Sequence, residues 1–95
     1  MESPIKQLFE EIKRKAKEIY MQLSRLGEDE LKTKLQELAD LLQKYYEVAG
    51  IKEDVIYALT PWGSIPVHGP SVIEVLRRGV LTPEVMVLLE LLAGD

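Results

Sequence analysis

Two apolar stripes with a period near 3.6 residues constrain this chain more than any other feature. The first runs through Ile5, Leu8, Phe9, Ile12, Ala16, Ile19, Leu23 and Leu26, and the second through Leu31, Leu35, Leu38, Leu42, Tyr45 and Ala49. That spacing places each set on one face of an α-helix. Ser3-Pro4 offers an N-cap followed by proline at the first helical position, where its missing N–H costs nothing. Gly27 and Gly50 stand where left-handed residues end helices, and Asp29 offers a cap for the second. Residues 3–26 and 29–49 therefore read as a long antiparallel helical hairpin. Acid-first pairs four residues apart, such as Glu10–Arg14, Glu11–Lys15 and Asp40–Lys44, support its exposed faces.

The second half is built differently. Residues 1–50 carry 19 of the charged residues and residues 51–95 only 9, while four of the five prolines lie in the latter. Residues 53–93 read as three short helices. Glu53 and Asp54 complement the positive end of a helix bearing Val55, Ile56 and Leu59. Thr60-Pro61-Trp62-Gly63 ends it, and a Pro/Gly-rich loop spans 60–70. Ser71-Val72-Ile73-Glu74 has the form of a capping box, and Gly79 stops the helix it opens. Thr82-Pro83-Glu84 starts the last helix, which is apolar around most of its circumference and so belongs in a core or an interface. The expected fold is all-α: a single domain, 1–95, forming a compact bundle of about five helices, two long and three short.

Composition removes whole classes of chemistry. With no cysteine and one histidine among 95 residues, disulfides, thiolate zinc sites and multi-histidine metal sites are excluded. A formal charge of −4 is a poor match for nucleic acid. No apolar run reaches the roughly 18–20 residues that span a bilayer, and no signal-peptide pattern opens the chain. These features give the expectation of a soluble cytoplasmic protein without a nucleic-acid or membrane partner.

The 60–70 segment gathers the lone Trp62 and the lone His68. Tyr57, Ile65 and Val67 would join them in an apolar ligand-binding pocket. His68 is the candidate haem ligand or general base, with Trp62 stacking on a planar ligand. Ser64 and Ser71 near His68 also invite a nucleophile–base reading, with Asp54, Glu53 or Glu74 as orienting acid. Neither reading brings a second polar group to His68 by spacing alone, so no cofactor, metal or catalytic residue is assigned.

Full stripes, glycine stops, acid-first pairs and the Ser3-Pro4 and Thr82-Pro83-Glu84 starts resemble computationally designed helical proteins. The likeness covers the first half, and residues 60–70 depart from it. It implies a scaffold that carries no inherited active site. The leading expectation is a non-enzymatic helical scaffold or binding module acting through an apolar surface or pocket in residues 51–95. Its partner would be a second copy or an apolar small ligand. The alternative is a small-ligand, haem-like binding protein or a designed catalyst using His68 with Trp62.

Overall fold

A computed structural model describes residues 3–94. Four helices, α1 (Pro4–Gln22), α2 (Glu28–Ala49), α3 (Pro70–Arg77) and α4 (Pro83–Ala93), enclose one core, and two strands, β1 (Ile56–Thr60) and β2 (Gly63–His68), form an antiparallel hairpin between α2 and α3. The all-α five-helix bundle is thereby corrected to a mixed fold with four helices. Each helix packs on the next, α1 on α2, α2 on α3, α3 on α4 and α4 back on α1, closing a ring. Ile19, Leu35, Leu38, Leu42, Val72, Leu76, Val85, Leu88 and Leu89 fill its centre.

The apolar stripes of the first half form the two long helices as expected. Lys15 pairs with Glu37 at 2.8 Å and Lys34 with Glu18 at 3.7 Å, so advancing positions on α1 meet receding ones on α2. The ions that meet thus cross between helices, and exposed pairs of this kind add little stability. Ser3 caps α1 by accepting the Lys6 amide at 3.2 Å, and Thr82 caps α4 by accepting the Val85 amide at 3.2 Å. Gly50, at φ 73°, ends α2 in the left-handed region. Two boundaries differ from expectation. The first helix stops at Gln22, short of residue 26, and Gly27 is the extended N-cap of α2 instead of a left-handed stop, displacing Asp29 from that role.

The third helix expected near 53–59 is strand β1, and the 60–70 loop is a tight turn followed by β2. Val55, Ile56 and Leu59 have helical spacing, but β-branched and aromatic neighbours suit an extended chain. Pro61 presets φ for the first position of a turn. Gly63 supplies a φ of 115° that other residues resist. The Thr60 hydroxyl fastens the turn, donating to the Gly63 carbonyl at 2.7 Å and accepting the Trp62 amide at 3.1 Å. A nearby nonlocal pairing thus outweighs the local helical signal.

Candidate functional site

The hairpin has an inner and an outer strand. β2 lies against α3 and α4, whereas β1 contacts no element except β2. Ile65 is buried and Val67 packs partly on the core, so both turn inward. The register pairs Ile56 with His68 but Tyr57 with Pro66, which leaves Val67 as the extra residue of a bulge. Pro66 offers no N–H, a restriction tolerated on an edge or at a bulge.

β1 presents its side chains to solvent. Leu59 is 88% exposed, Trp62 at the turn 64%, Tyr57 58%, and Val55 and Ile56 are open to a similar degree. From Val55 to Gly69 no residue is charged. Tyr57 and Leu59, two apart, share the face turned away from the one carrying Ala58 and its partner Ile65.

The base of the hairpin is fastened to the ring. The Val55 amide donates to the His68 carbonyl at 2.9 Å. Asp54 reaches across to α3, where its carboxylate accepts the Ser71 amide at 3.0 Å and the Ser71 hydroxyl at 2.5 Å. Ser71 is thus the second residue of α3, not the N-cap expected of it. Asp54 supplies the capping oxygen from outside the helix, where a carboxylate also suits the dipole. Gly69 makes the contact possible. Its φ is 139°, and a Cβ there would lie 2.5 Å from the Asp54 Cα.

His68 sits on an aromatic row. Its ring meets Tyr46 edge-on at 5.1 Å between centroids and Tyr45 at 6.1 Å, and Tyr45 continues to Phe9 at 6.1 Å. Such geometry adds packing energy beyond area alone. The Tyr46 hydroxyl is buried, with the Gly69 amide near it but outside the geometry of a good hydrogen bond. Burial is the main cause that raises its pKa, and the neighbouring Gly69 amide partly opposes the rise. At the far end of the ring, a hydrogen bond to Glu90 raises the Tyr20 pKa.

The expected site residues are therefore dispersed. Trp62 lies at the turn and His68 at the base of β2, roughly 15–20 Å apart by strand rise. Tyr57 is on the outer strand, while Ile65 and Val67 point into the body. Ser71 binds Asp54, and His68 packs on tyrosines, so the three are not joined as a triad. Among the described residues, no group of three or more His, Asp or Glu is placed to hold a metal ion. No helix of the described residues is long and apolar enough to cross a membrane.

Several clefts lie elsewhere on the described residues, two of them with largely apolar walls. One of about 340 Å³ separates the end of α2 from the start of α3, lined by Tyr46, Ile51, Pro70 and Ile73 with Gln43 and Lys52 at its rim. The other, about 550 Å³, runs between the α1–α2 connection and the α3–α4 connection, with Leu23, Leu26, Val80 and Leu81 on its walls. None of Trp62, His68, Tyr57, Ile65 and Val67 lines either one. The chain matches no protein-family model, no curated protein and no solved structure.

Sequence reasoning missed Val55, Ile56 and Leu59 as surface residues. Their β-branched and aromatic setting, followed by Pro61-Trp62-Gly63, was the signal for a hairpin.

Proposed function

We propose that this chain is a non-enzymatic binding module whose working surface is the outer strand of the hairpin. One observation carries the reading: β1 is uncharged, touches only its sister strand, and holds its large apolar side chains in solvent. A monomeric protein seldom leaves a contiguous apolar patch of this kind uncovered. The four-helix ring is the scaffold that carries it. Asp54, Gly69 and Ser71 fix the base of the hairpin to that scaffold. His68 in this reading is the packing residue that seats the inner strand on Tyr45 and Tyr46.

An apolar fluorescent dye tests the surface in dilute solution. Parent protein enhances its emission, and Leu59→Lys with Trp62→Lys removes most of the enhancement while the far-ultraviolet circular dichroism is unchanged. Equal dye signals from parent and double variant would sink the reading.

A further inference from the structure

Resting on that reading, we propose that the surface is occupied by a second copy of this chain. The two copies pair antiparallel along β1, giving one four-stranded sheet in the order β2-β1-β1-β2. The two edges of the hairpin differ in the way this requires. On β2, Pro66 removes a donor and the Val67 bulge disrupts the ladder, and both devices discourage further pairing. On β1 there is no proline, no charge and no bulge of its own, so its outer backbone groups form an open template for another strand. Pairing consumes the one competent edge of each copy, and assembly stops at two.

Charge selects the same surface. Copies of a chain with net charge −4 repel one another. The uncharged stretch from Val55 to Gly69 lets them approach without placing like charges in contact.

The strand is also complementary to itself. With the two-fold axis at Ala58, each Tyr57 lies opposite the partner's Leu59, and each Ile56 lies opposite the partner's Thr60. Aromatic–aliphatic pairs of this type stabilise antiparallel strands, and the small Ala58 leaves the axis uncrowded. Pairing the two strands edge to edge adds main-chain hydrogen bonds along β1 and sets the exposed side chains of the two copies side by side on one face of the sheet.

The absence of cysteine makes the register directly testable. In Ala58→Cys the single thiol would face its own copy across the axis at about 4.5–5.5 Å between Cα atoms, a span a disulfide accepts. Met21→Cys on α1, where the side chain is 71% exposed, reports random collision. Sedimentation velocity from submicromolar to high micromolar concentration should show the parent mass doubling. Leu59→Lys should remain a folded monomer throughout, and mild oxidation should convert Ala58→Cys, but not Met21→Cys, to covalent dimer. A parent that stays monomeric across the range, or two cysteine variants that cross-link equally, would overturn the self-pairing. A monomeric parent that still binds the dye removes only the second copy as occupant, whereas one that does neither removes the binding surface as well.

Discussion

In the ring of helices, the aliphatic side chains at the centre are sealed from water, while along β1 residues of the same chemical kind stand open to it. The body spends its leucines on cohesion: Leu88 is 1% exposed and Leu59 is 88% exposed. Polarity is reversed to match, because the charges lie on the outer faces of the helices and the hairpin has none. Apolar composition alone does not locate a core. What decides is whether a second layer covers the residue, and β1 has no second layer.

A lysine introduced in place of leucine has unequal consequences in the two regions, and the body suffers most. Leu88→Lys puts an unpaired charge where no polar partner is present and should cost several kcal/mol. That is enough to unfold a domain whose total stability is about 5–15 kcal/mol. Thermal melts followed by circular dichroism check it. At the junction of the regions, Gly69→Ala forces a Cβ toward the Asp54 backbone from a conformation that alanine resists. The expected loss is about 2–4 kcal/mol, measured by urea denaturation.

Tyr46→Phe probes the contact between the aromatic row and the hairpin. Its hydroxyl is buried without a good hydrogen bond, so removing it should leave stability at neutral pH unchanged or higher by about 1 kcal/mol. The alkaline behaviour has a definite sign. The folded pKa lies above the unfolded value, so this group leaves stability independent of pH below about pH 10 and lowers it as pH rises from there through the folded pKa. The phenylalanine variant should lose stability less steeply above that point, as melts across the alkaline range would record. Some slope persists from Tyr20, whose pKa is also raised. The smallest effect belongs to Leu59→Lys, which should shift monomer stability by no more than about 0.5 kcal/mol, since the side chain covers almost nothing. Its melt at a concentration too low for association checks this.

Legibility followed the range of the forces involved. Helices α1 and α4 were readable because periodicity, proline starts and side-chain caps act within a few residues of one another, and α2 from its periodicity alone. The end of α1 was less so, since Gly27 can serve either the helix before it or the helix after it. The hairpin was obscured because Glu53 and Asp54 imitate a helix start and because β1 is apolar on both faces, which erases the alternation that marks a half-buried strand. Trp62 and Tyr57 were singled out from sequence and do lie on the exposed hairpin, but Ile65 and Val67 turn toward the core. The Asp54–Ser71 contact spans 17 residues of chain and depends on the path of Gly69, a relation that local spacing does not encode.

The Asp54 carboxylate, clasping the first turn of α3, has a kinetic consequence. Because that clasp and the Val55–His68 bond hold the base of the hairpin, β1 is already extended before anything meets it. Little backbone entropy is left to lose on encounter. Under the proposed self-pairing, association should then proceed at the ordinary rate for docking two rigid patches, about 10⁵–10⁷ M⁻¹s⁻¹, with no slower folding step ahead of it. Loosening the clasp would act mainly on that rate, turning a rigid template into a segment that must first find its shape.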